Sequence, residues 1–347
     1  MLKSLILAGG YATRLRPLSC SKPKLLFPLI GTPLIDHMIH WMNQGNVDQV
    51  ILAVNHLSDK LRIEVARRKL SDSVLLSVEQ IPLGTGGPIK LASPNLDHRD
   101  PLIVANGDVV SSIDLKDILA AHNRSGAEAT ISLVSVPDRR PFGTATTDER
   151  DRIIRFEEKL TGAPVPGWIN AGVYVLNPSV VEMIPSGRAV SLEREIFPVL
   201  ASRLKLQGYR YRGIWHDIGT IQDYIAVNRD LLDHPESVGL RNHGLPSSPT
   251  IESPSYVAGN CVLATDAKIG PYGILSDHVS VKSNAIVRDS IIFEDTTIGE
   301  HCSVQGSIVG ESVTVGNSVR VGKGSLIAGQ VSIPDGTVLN PGSLVLN

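Results

Sequence analysis

The sequence predicts an α/β domain with a mostly parallel sheet, followed by a parallel β-helix. Three observations carry that expectation. Up to about residue 233, strand-like runs alternate with helical ones, the pattern of βαβ units. From residue 255 an apolar anchor returns every six residues, which is the hexapeptide β-helix pattern. The first strand also runs into a glycine-rich, cationic loop, LILAGGYATRLRPLSCSKPK at residues 5–24. In α/β sheets ligands bind beyond the carboxyl ends of the strands.

In chain order, short apolar runs predict strands at Ser4–Leu7, Gln49–Val54, Val74–Val78, Leu102–Ala105, Thr130–Val134 and Ile169–Leu176. Between them, helical periodicity marks Leu34–Asn43, Asp59–Leu70 and Leu115–Asn123. Residues 234–254 carry Pro235, Pro246, Pro249 and Pro254 among Ser and Gly, and so predict a linker. The domains expected are therefore 1–233, the linker 234–254, and the repeat region 255–347.

The repeat anchors are Val257, Leu263, Ile269, Leu275, Val281 and Val287. A step of five residues leads to Ile292, then Ile298 and Val304 follow. A second step of five leads to Val309, then Val315, Val321, Ile327 and Ile333. The two short steps predict corners or register shifts. Four residues after most anchors sits a small or β-branched side chain, among them Cys261, Ala267, Val279, Ala285, Thr296 and Cys302. Packing is the role expected for both cysteines.

The 347 residues are 42% hydrophobic and 20% charged, with a formal net charge of −2. Such a balance gives no bulk electrostatic case for nucleic acid or an anionic membrane. No apolar run approaches the ~20 residues of a membrane span. The chain opens directly into a strand, without the features of a signal peptide. Cys20, Cys261 and Cys302 have neither disulfide-framework nor metal-ligand spacing. The expected compartment is the cytoplasm.

The loop at residues 5–24 suits a polyphosphate. Gly9 and Gly10 let backbone N–H groups approach phosphate oxygens, while Arg14, Arg16, Lys22 and Lys24 neutralise charge. Its spacing matches neither G-x-G-x-x-G nor G-x-x-x-x-G-K-[ST]. Dinucleotide oxidoreductases and P-loop NTPases are thereby disfavoured. Two carboxylates could join it: Asp108 in Asn106-Gly107-Asp108, after a buried strand, and Asp217 in Trp215–Thr220. Carboxylates converging on phosphates supply the hard oxygen ligands that Mg²⁺ takes. Alternatively, each Asp caps a helix or turn.

Together these residues resemble the sugar-1-phosphate nucleotidyltransferases. The family loop G-G-x-x-T-R-L-x-P-L-T-x-x-x-P-K stands here as Gly9 to Lys24, with Ser19 in place of Thr. Further matches follow in family order: Leu83–Gly87, Asn106–Asp108, Phe142-Gly143, Phe156–Lys159, Asn170–Gly172 and Trp215–Thr220. The resemblance spans nearly the whole chain, because a hexapeptide β-helix also occurs in this family. It implies a Rossmann-like nucleotidyltransferase domain and a left-handed parallel β-helix.

The resemblance further implies roles for individual residues. Leu7, Ala8, Gly9, Gly10, Thr13, Glu79, Gly84 and Thr85 would contact the nucleotide. Arg14 would bind the β/γ-phosphates, and Lys24 would stabilise charge at the α-phosphate. Asp108 and Asp217 would hold Mg²⁺. Asn106, Gly143, Glu158, Asn170 and Gly172 would contact the sugar, and Lys159 its 1-phosphate. Leu160 departs from the proline that relatives often carry after the Glu-Lys pair. The expected partners are a nucleoside triphosphate, a sugar 1-phosphate and further copies of the chain through the β-helix.

Uridylyl and thymidylyl relatives typically carry glutamine at the position of Glu79. A carboxylate only accepts hydrogen bonds, and guanine offers two adjacent donors, so Glu79 favours GTP. A shift of one residue to Gln80 would restore an amide and a pyrimidine, the alternative being a uridylyl- or thymidylyltransferase for glucose 1-phosphate. Mannose 1-phosphate is the acceptor expected by resemblance, with a heptose 1-phosphate open. Two other classes remain in view. One is a bifunctional enzyme with a β-helix acyltransferase using His278 or His301, which otherwise are solvent-facing turn residues. The other is a non-catalytic regulatory homologue, disfavoured because Arg14, Lys24, Asp108 and Asp217 are all present.

Overall fold

A computed structural model describes residues 1–96, 99–158, 163–235 and 250–346. Most of the expected linker lies outside the described residues. The chain divides into two compact units, one of residues 1–11 and 37–217, the other of residues 12–36 and 218–347.

The first unit is built on a nine-stranded sheet. Lys3–Leu7 pairs in parallel with Gln49–Val54 and with Leu102–Asn106, and Gln49–Val54 pairs in parallel with Val74–Val78. Leu7 lies opposite both Ala53 and Asn106, and Val54 opposite Val78, so four carboxyl ends share one edge. Leu5, Ile51 and Val104 are buried, and so are their outward-alternating neighbours Ile6, Leu52 and Ile103. Burial on both faces accounts for the continuous apolar runs in the sequence.

Beyond Leu102–Asn106 the sheet turns antiparallel. Gly167–Leu176 pairs with it and with Ala129–Val136, and the hairpin of Gly143–Thr147 and Ile153–Glu158 joins that side. Leu206–Tyr211 closes the edge in parallel with Ala129–Val136. The pairing register shifts between Asn170 and Tyr174, with Gly172 at φ +75° in the irregular stretch. Such a bulge re-aims side chains locally. A separate two-stranded ribbon pairs Trp215–Asp217 with Val109–Ser111.

The helices follow their local signals. Helix Leu115–Ser125 starts at Asp114, whose carboxylate accepts from the N–H groups of Lys116 and Asp117, and it ends at Gly126 with φ +65°. These caps satisfy backbone groups that a helix end leaves open.

The second unit contains the repeats. Their strands form three parallel sheets of six, five and five strands. Successive coils stack in register, as in Leu275, Ile292, Val309, Ile327 and Val345. Anchors from Ile269 to Ile333 fill the interior. The five-residue steps fall where Asp289 (φ 48°) and Gly306 (φ 58°) turn a tighter corner, joined by Gly306 N–H donating to the Arg288 carbonyl at 3.1 Å. Cys302 is buried and donates its thiol to the Gly316 carbonyl at 2.9 Å, and Cys261 donates to that of Ser276 at 3.1 Å. Burial pushes both thiols above their ordinary range, which fits a packing role. His278 and His301 sit exposed at left-handed corners.

Residues 12–36 belong to this second unit. Phe27 meets Tyr224, on helix Ile221–Asp233, and Phe293 edge-on, both with ring centroids 5.6 Å apart. The Tyr224 hydroxyl donates to the Pro28 carbonyl, and Ile30 N–H donates to Asn228 Oδ1 at 2.9 Å. Among the described residues, no helix is long and apolar enough to cross a membrane.

The β-helix interior sets a stability contrast. Ile298→Ala, at a fully buried anchor, should cost about 2–5 kcal/mol. Val262→Ala, 66% exposed on an outer face, should stay within about 0.5 kcal/mol. Thermal unfolding of the intact chain measures both, and equal shifts would contradict the assignment of the anchors.

Candidate active site

The site begins where the first strand ends. Ala8 N–H donates to the Ala53 carbonyl and Gly107 N–H to the Leu7 carbonyl, each at 2.8 Å. These bonds bring the glycine loop and the Asn106-Gly107-Asp108 turn into backbone contact. A Cβ on Gly107 would stand 2.7 Å from the Leu7 carbonyl oxygen and 3.3 Å from Ala8 Cα. Only glycine permits that approach. Gly10 is exposed, with open space where its Cβ would be.

Glu79 follows strand Val74–Val78 and is 6% exposed. Its N–H donates to the Val54 carbonyl at 2.8 Å, and its Oε2 accepts from Leu83 N–H at 2.9 Å. Its Oε1 lies over Gly9, where a Cβ would come within 2.5 Å. Burial raises the carboxyl above the usual glutamate range, and the Leu83 bond draws it partly back. Gln80 beside it is exposed.

The ribbon sets the backbones of Asp108 and Asp217 near each other. Asp217 lies directly opposite Val109, the neighbour of Asp108. Both carboxylates are half-buried. Among the described residues no group of three or more His, Cys, Asp or Glu could hold a metal. The candidate donors are these two aspartates. They fit a hard cation whose remaining ligands are phosphate oxygens and water, and they do not fit a closed structural site.

Several of the residues expected at the sugar gather around the bulge. A Cβ on Gly172 would meet Asn106 Nδ2 at 2.7 Å, and one on Gly143 would lie 3.7 Å from Asn170 Cβ. Gly172 N–H donates to Asn170 Oδ1 at 2.9 Å. Trp215 Nε1 donates to the Ala171 carbonyl at 2.9 Å, and its ring meets Phe142 edge-on at 5.7 Å. Glu158 pairs through its backbone with Gly143. Lys159 and Leu160 lie outside the described residues.

Glu193, which the sequence did not single out, links several of the candidate residues. Its Oε2 accepts from the hydroxyls of Thr85 (2.6 Å) and Ser191 (2.8 Å). Its Oε1 accepts from the Tyr174 hydroxyl at 3.4 Å, which in turn accepts from Asn170 Nδ2 at 2.9 Å. Gly84 bridges to Val190, and Gly86 N–H donates to the Val190 carbonyl at 2.8 Å. One network therefore joins Thr85, expected at the nucleotide, to Asn170, expected at the sugar. Tyr174 is fully buried, and burial, then the charge of Glu193, push its hydroxyl well above the ordinary range. The available signal was Ser191 followed two residues later by Glu193, an acidic first turn at a helix start.

Thr13, Arg14 and Lys24 lie in the second unit. Thr13–Leu15 is a short helical turn with Arg14 exposed and Leu15 buried. The Ser19 hydroxyl donates to the Ala12 carbonyl at 2.8 Å and closes the loop on itself. Lys24 is half-buried in the next turn, Lys24–Leu26. Lys22 corrects the sequence expectation of a phosphate-neutralising cation. It is 8% exposed and forms an ion pair with Glu294 of the β-helix.

Residues 3–234 match the family described as Nucleotidyl transferase, and residues 251–347 match the GMPPB C-terminal domain. A mannose-1-phosphate guanylyltransferase of Mycobacterium tuberculosis is 35% identical over 82% of this chain and 82% of its own length. A probable mannose-1-phosphate guanylyltransferase of Arabidopsis thaliana is 34% identical over 100% of this chain and 96% of its own. Among solved structures, HddC from Yersinia pseudotuberculosis complexed with GMP-PN is 28% identical, with a TM-score of 0.56, covering 67% of this chain and 100% of that one. With those matches spanning both halves and the loop, acidic pair and bulge in place, the chain belongs to the nucleotidyl transferase family.

Proposed function

We propose that the chain transfers a guanylyl group from GTP to mannose 1-phosphate, releasing pyrophosphate. The observation that carries the base assignment is Glu79, buried with Oε1 over Gly9 at the carboxyl edge of the parallel strands. Guanine presents N1–H and an amino group side by side, and a carboxylate accepts both. Uracil and thymine present carbonyl oxygens beside N3–H, which Glu79 would repel. The exposure of Gln80 supports Glu79 as the reader. The guanylyltransferase names of the relatives and the GMP-PN bound by HddC support the same choice. The relatives' names also support mannose 1-phosphate as acceptor.

The acceptor phosphate oxygen attacks the α-phosphorus of GTP in line, the new P–O bond forms, and the bond to pyrophosphate breaks. That nucleophile is already anionic near neutral pH, so no general base is needed. The barrier is the approach of two anions, and the chain acts by positioning and by charge neutralisation. Backbone groups at Ala8–Gly10 would seat the phosphates, Arg14 would hold the β- and γ-phosphates, and Lys24 would stabilise charge at the α-phosphate. Asn106, Gly143, Glu158, Asn170 and Gly172 would orient the sugar, with Lys159 at its 1-phosphate. Asp108 and Asp217 would hold Mg²⁺, which when bound neutralises phosphate charge. Glu193 orients Thr85 and, through Tyr174, Asn170.

Assembly of further copies through the β-helix belongs to the same proposal, because stacking on a second copy is one way a solenoid covers its ends.

Pyrophosphate release tests the reaction. Asp108→Asn or Arg14→Ala should lower kcat by about 10²-fold or more with an unchanged circular dichroism spectrum. Near-wild-type turnover in either would contradict the role assigned to that residue. Glu79→Gln should lower kcat/KM for GTP by about 10–100-fold while raising the relative use of UTP and dTTP. Wild-type preference for a pyrimidine nucleotide would overturn the base assignment. Acidification should raise KM for GTP as Glu79 takes up a proton and loses its acceptors. Because burial raises that carboxyl, the rise should begin at a higher pH than for an ordinary glutamate. A pH profile of KM that is the same in Glu79→Gln would contradict it.

A further inference from the structure

We propose that Glu294, on the β-helix, is a positioning residue for nucleotidyl transfer, holding the Lys24 segment of the phosphate loop through Lys22. The inference rests on the transferase reading above and adds to it a part for the repeat domain.

Two successive β-helix residues, Phe293 and Glu294, grip both flanks of Lys24. On one side Glu294 pairs with Lys22, whose side chain is 9% exposed against 32% for the glutamate. On the other, the fully buried Phe293 ring meets the Phe27 ring edge-on. The Lys22 ammonium also lies 5.8 Å from the centre of the Phe293 ring. Between the two grips run Pro23, Lys24, Leu25 and Leu26, with Phe27 N–H donating to the Lys24 carbonyl at 2.9 Å. Pro23 limits the backbone between Lys22 and Lys24. Aromatic pairs of this geometry are favourable beyond their burial.

The burial of Lys22 makes the pair consequential. A desolvated ammonium is tolerated only when paired, and removing one partner leaves an uncompensated charge. Without Glu294, Lys22 gains by leaving the interior for water, and such a move drags Pro23-Lys24 with it. The rest of the segment cannot absorb the movement easily. Leu15 and Leu18 are fully buried, and Ser19 is bonded to Ala12. The displacement would therefore fall on Lys24. A shift of about 1 Å in a charge-stabilising group can cost up to about 100-fold in rate.

The test uses the full chain, with pyrophosphate release and hydrogen exchange measured on the same preparations. In Glu294→Gln, which keeps the shape and removes the charge, kcat should fall about tenfold or more. KM for the sugar 1-phosphate should stay within about twofold. Amide exchange across residues 13–26 should accelerate, while the other β-helix coils stay protected. The double variant Lys22→Met/Glu294→Leu replaces the ion pair by an apolar contact. It should recover most of the lost kcat and restore slow exchange, and its failure to recover kcat while exchange returns to normal would overturn the proposal. Wild-type kcat in Glu294→Gln would also overturn it, whether or not exchange accelerates. A wild-type chain that releases no pyrophosphate with any nucleotide and sugar phosphate overturns the transferase reading itself, and this role with it. An active wild type with an unaffected Glu294→Gln overturns the positioning role alone.

Discussion

The close approach of backbones beyond the parallel strands is the constraint on which the site depends. Gly107 N–H reaches the Leu7 carbonyl at 2.8 Å, and neither Gly107 nor Gly9 has room for a Cβ. Three features follow from that contact. The turn at Asn106-Gly107-Asp108 lies against the glycine loop. Glu79 can place its carboxylate over Gly9 without collision. The ribbon after Asp108 then pairs with Trp215–Asp217 and delivers the second carboxylate. A Cβ at Gly107 would collide with the Leu7 carbonyl oxygen, and one at Gly9 with Glu79 Oε1.

Much of this was legible in the sequence because it rests on local signals. The strands ending at Leu7, Val54 and Val78 end in the structure where the apolar runs end. The six-residue period placed every anchor from Ile269 to Ile333 in the interior, since one buried position per prism side leaves little freedom. The two five-residue steps correspond to the corners at Asp289 and Gly306. The acidic pair was legible as two motifs, but its register was not. Which strand Trp215–Asp217 would pair with depends on a long-range contact that no local pattern encodes.

Long-range contacts also account for what the sequence concealed. Glu193 looks like an ordinary acidic first turn, and its connection to Thr85 and Tyr174 exists only after the sheet forms. Asn170-Ala171-Gly172 read as a motif, while its register shift depends on pairing with Ala129–Val136. Lys22 is the clearest case. Among Arg14, Arg16 and Lys24 it looked like one more cation for phosphate, yet it is buried and paired with a residue 272 positions away. Charge in a loop indicates available cations but not their partners. The repeat domain, read from sequence as an assembly module or an acyltransferase carrier, thereby acquires contacts with the Lys22–Phe27 segment.

A crystal structure of the chain with a non-hydrolysable GTP analogue and Mn²⁺ tests the central claim most directly. The guanine edge should hydrogen-bond to Glu79, with the phosphates along Ala8–Gly10 and anomalous density for the metal between Asp108 and Asp217. A guanine bound away from Glu79, or a metal bound without either aspartate, would contradict it.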